Sequence, residues 1–537
     1  MTHHNGVYGD ADTTDTNGAT GVHNETNATL ENLTQYEKKP VNKGLIAAIV
    51  AAIVGVLLIA WVLVPHNKAQ SESVLRVGLQ LAPTNLDIRN QSGSALDQIL
   101  IGNVMEGLVA RDENNQVIPA LAEHWEESNN GLTWTFTLHK NTHFSNGDGL
   151  DSSDVVWSLN QMKEKQYHGS QYLDSVQQVR AENPTTVVLE LSQPDSDLLW
   201  QLTGRAGLVF DKDAKYDAKR TAVGSGPYLV QNFVANQSLT LTKNPKYWGN
   251  SATIDTVEIS YIADENAGLN ALKSGNVDVL SPVNATMAKT LAKDSRFTVA
   301  AGEGTDKFVL AFNSAQGATS DIRVRQALRY AIDKQEIIAS RSGVDAPLGG
   351  PIPSLDPGYE DLTGLYPHDE AKAKQLLEQA GYSRSNPLTL RLEYANIYGT
   401  QLGEQLRSQL AKVGVNLDVR VVEFSTWLQD VYTNKDYDIS LVDHNESHDI
   451  SQWANPQYYY NYNNAHVQEL IAQARHAVSQ DEASQYLSQA AVEISQDAPA
   501  EWLFNYRITT AVTKKVKGFP LNMNQSLLPL YNVSLSE

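Results

Sequence analysis

The chain has 537 residues, a formal net charge of −21 and no cysteine. That length exceeds one hydrophobic core and requires two or three packing units. The acidic balance would repel phosphate and excludes nucleic acid as a partner, and the missing thiol excludes disulfides, thiol catalysis, cysteine-ligated metals and an acylated-cysteine anchor.

Residues 1–43 are rich in Thr, Asn, Gly and acidic groups and poor in large apolar side chains. They cannot offset the entropy of ordering, which predicts a disordered tail. Gly44 to Val64 is an unbroken apolar run of about 20 residues, the length that spans a bilayer. It exceeds the apolar core of a cleaved signal peptide, about 7–15 residues, and Asn67-Lys68-Ala69 is no small-residue cleavage site. Lys38, Lys39 and Lys43 precede the run, so the tail is expected in the cytoplasm and everything after Pro65 outside a cell membrane crossed once. Residues 65–73 form a polar linker.

Val74 to Leu79 reads as the first strand, and Leu132 to Leu138 alternates behind an Asn-Asn-Gly turn, a hairpin signal. Asp151 caps a helix through Met162 with Val155, Val156 and Leu159 on one face. Thr185 to Leu191 and Leu239 to Lys243 are further strands, so the first half is β-rich. In the second half Asp321 caps a helix predicted to run through Ala339, and a helix from Asp369 stops at Gly381.

From Pro387 to Trp453 the pattern is strand, helix, strand, short helix, strand and a polar loop. Leu388, Leu390, Leu392 and Tyr394 alternate, as do Leu417, Val419 and Val421. Leu402, Leu406, Leu410 and Val413 keep helical spacing between them. Such a unit closes right-handed into a parallel pair. Ser425 is placed to cap the short helix, and Tyr437 to Val442 is the third strand. That strand delivers Asp443-His444-Asn445-Glu446-Ser447-His448-Asp449 to the carboxyl edge, where α/β sheets bind ligands. A helix over His466 to Ser495 and a strand near Arg507 to Val512 close the chain.

Several ordered blocks carry a resemblance. Leu121-Ala-Glu-His-Trp125, Gly131-Leu-Thr-Trp-Thr-Phe-Thr-Leu-His139, Phe144-Ser-Asn-Gly147 and Asp154-Val-Val-Trp-Ser158 come first. Gly224-Ser-Gly-Pro-Tyr228, Lys243-Asn-Pro-Lys-Tyr-Trp248 and Asp321-Ile-Arg-Val-Arg-Gln-Ala-Leu-Arg-Tyr-Ala-Ile-Asp333 follow. Over residues 74 to about 520 the chain resembles the family 5 extracellular solute-binding proteins of ABC importers, which include oligopeptide and dipeptide receptors. The resemblance implies an α/β, two-lobed, periplasmic-binding-protein-like fold of type II. Lobe I would take 74–305, with an extra subdomain at about 95–200; lobe II would take 306–503, and 504–537 would return to lobe I. It implies no cofactor and no catalysis. It implies instead a monomeric ectodomain that captures a peptide by hinge closure and delivers it to permease subunits driven by a cytoplasmic ATPase. Family members attach by a lipidated cysteine or not at all, so the apolar run at 44–64 departs from the pattern.

In the family's peptide receptors an aspartate after the strand matching Tyr437 to Val442 meets the ligand's α-ammonium, because a buried ammonium costs several kcal/mol without a carboxylate. Asp443 and Asp449 both match, and Glu446 is a third candidate. His444 counts with this ligand-facing loop. The resemblance also implies main-chain contacts from Leu81, Ala82 and Pro83. Phe424, Trp453 and the tyrosines Tyr458, Tyr459 and Tyr460 would supply cleft walls, since so many aromatics are hard to bury together; Trp427 is expected in the core. Tyr172 and Asn505 are positional matches. The arginines that receive ligand carboxylates in some members have no counterpart in Val431 to Val442.

Other readings compete. His444 and His448 stand four apart, but in the order His-x-Glu-x-His rather than the zincin arrangement, and are read as polar surface. A nickel or other metal chelate, haem or an oligosaccharide is the alternative ligand on the same fold. A hydrolase finds no Gly-x-Ser-x-Gly elbow, no phosphate-binding Gly-Lys-Ser/Thr loop and no cysteine nucleophile.

Overall fold

The computed structural model describes residues 72–536. The predicted tail, the apolar run at 44–64 and the linker as far as Ser71 lie outside the described residues. Among the described residues no helix is long and apolar enough to cross a membrane.

Two mixed sheets organise the chain. The seven-stranded sheet of lobe I runs Phe297–Gly302, Ile508–Thr513, Val279–Ser281, Val74–Leu79, Thr256–Tyr261, Ser238–Lys243 and Tyr228–Val234. Val74–Leu79 sits near its middle, parallel to both neighbours. Leu75, Val77 and Leu79 are buried there, as a strand covered on both faces requires. An extra subdomain interrupts this lobe. Its four antiparallel strands, Ala122–Ser128, Thr133–Leu138, Thr186–Leu191 and Val176–Asn183, are backed by the helix Ser152–Glu164. Asp151 and Asp154 form a capping box at the start of that helix.

The five-stranded sheet of lobe II runs Val415–Val422, Leu388–Ala395, Ile439–His444, Lys307–Phe312 and Ala500–Asn505. The expected parallel pair is present, with Leu388 opposite Val415. The chain crosses between lobes twice, over 303–306 and at Tyr506 and Arg507. The second crossing lies beyond Leu503 because Leu503 and Phe504 are buried in the lobe II core. Asn505 Nδ2 donates to the carbonyls of Gly304, 3.0 Å away, and Asp306, 2.8 Å away, and so ties the two crossings together.

Some boundaries differ from expectation for local reasons. The helix predicted from Asp321 to Ala339 is two, Ile322–Ala331 and Lys334–Ser340. Asp333 breaks it by turning extended and accepting from the amide of Glu336 as a new cap. The predicted 466–495 helix is likewise split into Ala465–Arg475 and Gln480–Asp497, with Ser479 as the second cap. Ser425 caps nothing; it lies inside the helix Phe424–Trp427. The third strand is Ile439–His444, so Asp443 and His444 belong to the sheet and pair with Phe308 and Lys307.

Candidate functional site

Strand geometry sorts the acidic segment. Successive strand residues face opposite ways, so Phe308 and Asp443 share one side of the lobe II sheet while Lys307 and His444 share the other. Lys307 heads its strand directly after the crossing and is only 2% exposed. Its Nζ donates to the carbonyl of Thr305 at 3.0 Å, the carbonyl of Glu446 at 2.9 Å and Asp449 Oδ1 at 3.1 Å. A buried ammonium needs this complete set of acceptors. Lys307 therefore neutralises Asp449 from within the protein and pins the backbone of Glu446. The Glu446 side chain stays exposed.

Glu446 lines a cavity of about 340 Å³ whose opposite wall belongs to lobe I, where Gly93, Arg111, Tyr172, Trp200 and the Asp97–Arg205 pair stand. Gly93 takes φ 98°, a left-handed backbone that suits glycine. Arg205 is fully engaged, by Asp97 at 2.6 Å and by the carbonyls of Ile88 and Gly93. Arg111 is not: it donates to Asn115 Oδ1 at 3.2 Å and lies 5.3 Å from the Trp200 ring centre. Among the described residues no carboxylate lies within ion-pair distance of it. Burial lowers its pKa, and the charges of Asp97 and Asp356 oppose that. The cavity thus sets an acid on lobe II against a guanidinium and two aromatic rings on lobe I.

A neighbouring cavity of about 260 Å³ shares Gln171, Tyr172 and Gln201 with the first and is lined by Ile352, Ile450 and Ile471 among others. His448 stands on its wall beside Asp197 of lobe I. On the Phe308–Asp443 side lies a groove of about 1050 Å³ between the lobes, lined also by Arg341, Asp345, Tyr398 and Arg507. Here the acids crowd. Burial, with the charges of Asp306 and Asp345, pushes the Asp443 carboxyl up to about 8, and burial pushes Asp306 up to about 6. Asp443 Oδ1 is buried without a hydrogen-bond partner.

The remaining candidates are placed as follows. Tyr172 is 40% exposed and borders both smaller cavities. Asp449 touches the 260 Å³ cavity, but Lys307 already holds it, and burial leaves its carboxyl at about 6. His444 is buried, not on the surface; its Nε2 meets the hydroxyls of Tyr459 and Tyr460, each at 2.9 Å. Burial pushes that imidazole down to about 3, which makes it a neutral packing residue. Trp453 is not a cleft wall either: it is 3% exposed and stacks on Tyr460 at 3.7 Å. Tyr458 packs edge-on against Tyr432 and Tyr460 in the same cluster. Tyr459 and Tyr460 are buried and Tyr458 is partly so, because the hydroxyls of the first two find His444 as a partner. Phe424 is 45% exposed and stacks on the buried Trp427, outside the Glu446 cavity. Asn505 belongs to the crossings. Pro83 accepts from the amide of Asn236 through its carbonyl, and neither it nor Ala82 lines the Glu446 cavity. His444 and His448 do not converge, and among the described residues no group of three or more His, Asp or Glu is arranged to hold a metal.

The sequence reading missed Lys307, Arg111, Trp200 and the position of His448. A lone lysine heading the otherwise apolar strand Lys307–Phe312 was a usable signal. Arg111 and Trp200 gave none, since only tertiary folding brings them to a loop more than 200 residues away.

Comparison with known proteins bears on the fold and the family. The model of the bacterial extracellular solute-binding proteins, family 5 Middle, matches residues 116–468, from the subdomain through the acidic segment. A glutathione-binding protein, GsiB, of Pectobacterium atrosepticum is 26% identical over 497 residues, 87% of this chain and 95% of that protein. The dipeptide-binding protein of Escherichia coli is 26% identical over 458 residues, 75% of this chain and 84% of that one. The structure of HbpA2 from Haemophilus parasuis superposes with a TM-score of 0.78 at 22% identity, covering 86% of this chain and all of that one (100%). With its signature spanning well over half of its length, the chain belongs to the family 5 bacterial extracellular solute-binding proteins.

Proposed function

We propose that the protein is the receptor of an ABC importer and that it captures a short peptide with free termini in the Glu446 cavity. The α-ammonium faces Glu446 and the α-carboxylate faces Arg111. The observation that carries this reading is the opposition of those two charges across one cavity, each on a different lobe. A zwitterion between them favours the closed form, because it contacts both lobes only there. Arg111 answers the absence of arginine in Val431 to Val442. A cavity of about 340 Å³ lies at the small end of ligand pockets, about 300–1,000 Å³, which favours two or three residues over long chains. The relatives named for glutathione and dipeptides support the same ligand size.

In this proposal the apolar run at 44–64 holds the receptor at the outer face of the membrane, N-terminus inside, and the monomeric ectodomain delivers its ligand to the permease. Tethering raises the receptor's effective concentration there. Calorimetry with trialanine, N-acetyl-trialanine and trialanine amide tests the site. The free peptide is expected to bind, and each block should weaken binding by about tenfold or more, a charge-assisted bond being worth about 1.5–3 kcal/mol. Equal affinity for the free and acetylated peptides would remove the ammonium role of Glu446.

A further inference from the structure

The segment between Glu446 and Asp449 meets lobe I at one residue with unusual geometry. His448 lies in the left-handed region at φ 56° and ψ 24°, a conformation that strains a non-glycine residue. Its amide donates to Asp356 Oδ2 at 2.9 Å, which helps hold it there. The imidazole crosses the gap between lobes. It stacks on Trp200 with ring centres 4.0 Å apart and planes 18° apart, and Nδ1 donates to Asp197 Oδ1 at 2.5 Å. Nε2 is buried without a hydrogen-bond partner and has Asp356 Oδ1 at 4.0 Å. Neutral histidine leaves that nitrogen's lone pair unmatched, whereas the imidazolium places one positive charge between two carboxylates of opposite lobes.

We propose that His448 is a proton-operated latch: its imidazolium bridges Asp197 of the lobe I subdomain to Asp356 of lobe II and so favours the closed receptor in acid.

The groups facing the ring are Asp197 ahead of the helix Leu198–Gln201, Asp356 in the 351–357 loop and Arg111 at the end of the strand Val109–Arg111; Glu446 and Asp449 flank it on its own loop. Burial and Arg111 lower the imidazole's pKa, Asp197 and Asp356 raise it, and the balance is upward. In the open form the ring loses the Asp197 carboxylate, which raises its pKa in the closed form. Closure is therefore favoured in full below the open-form pKa, and the advantage is lost as pH rises through the higher closed-form one. Ser196, whose amide and hydroxyl bond the carbonyls of Arg475 and Ala474, and Asn115, which donates to Asp356 Oδ1 at 2.9 Å, join the lobes at the same seam. Neither titrates; Asp195, whose pKa burial raises, faces Arg475 of lobe II at 3.9 Å at this seam, and Asp443 and Asp306 titrate in the other interlobe groove, so His448 is told apart by its own substitution.

The latch governs the site of the proposed peptide receptor, but its test needs no ligand. The chain has no native cysteine, so Lys165→Cys in the subdomain and Gln375→Cys in lobe II accept a dye pair at those positions alone. Single-molecule energy transfer on the ligand-free full chain in detergent reports the closed fraction from pH 5.5 to 8.5. That fraction should fall by about threefold or more across the range, with a midpoint above about 6.5. Most of the dependence should be lost in His448→Gln and in Asp197→Asn. A closed fraction in the parent that ignores pH, or a pH dependence undiminished in His448→Gln, overturns the latch and leaves the peptide proposal untouched; loss of peptide binding with pH-dependent closure intact does the reverse.

Discussion

Two of the interlobe spaces, at Glu446 and at Asp443, are built from the same residue types and do opposite things with them. In the cavity at Glu446, Lys307 satisfies Asp449 and fixes the neighbouring backbone, which leaves one carboxylate facing a guanidinium across the gap. In the groove at Asp443, carboxylates face one another, and the nearby guanidiniums are taken: Arg341 by Asp345 at 2.7 Å and Arg507 by Glu303 at 2.7 Å. The first space keeps unspent charge of both signs. The second spends its charge internally and holds its leftover carboxyl high in pKa. Counting acids in a loop therefore does not find a cation site; what matters is which acid the protein has not already neutralised.

The comparison can be broken at its strongest point first. Lys307→Met strands Asp449 in a buried site and should cost about 3–5 kcal/mol of stability, measured by urea unfolding. A loss below about 1 kcal/mol would mean that Lys307 is not what sets Glu446 apart. Glu446→Gln should weaken trialanine binding by about 1.5–3 kcal/mol in calorimetry and leave stability nearly unchanged, since the residue is exposed. Arg111→Met should weaken the free peptide by about 1.5 kcal/mol but hardly affect its amide; equal losses for both would assign Arg111 to packing on Trp200 alone. The smallest effect on binding is expected at Asp443→Asn. Trialanine affinity should be unaltered. The folded carboxyl sits near 8 and the unfolded one near 3.9, so the folded state holds the extra proton and stability falls as pH rises through that window. The variant should melt higher than the parent at pH 8 and no higher at pH 4, by calorimetric scanning. Unchanged pH dependence of the melting temperature would show that acid crowding does not shape the groove.

Much of the architecture was readable because periodicity reports burial directly. The alternation at Leu388, Leu390, Leu392 and at Leu417, Val419 gave a parallel pair that the structure contains, with Leu390 opposite Leu417. Helix length was less readable: the apolar spacing from Val324 runs on past Ile332 although Asp333 restarts the backbone as a cap. At the site the acidic segment was found as a block, but its members could not be ranked. Asp443 and His444 looked like loop and are strand, because pairing with Lys307 and Phe308 extends the sheet two residues past the apolar pattern. Trp453 and the tyrosines looked too numerous to bury, yet they stack on one another around His444.

The sequence alone determined the family, the lobe II strand–helix–strand unit and the segment that carries the acids, since composition, periodicity and ordered motifs are properties of neighbours along the chain. Only the tertiary structure decided that Glu446 rather than Asp449 is left free, that Arg111 opposes it and that His448 spans the lobes. Those outcomes depend on Lys307, Trp200 and Asp197, which stand 141, 248 and 251 positions before His448 along the chain, because electrostatic satisfaction is settled by distance in space.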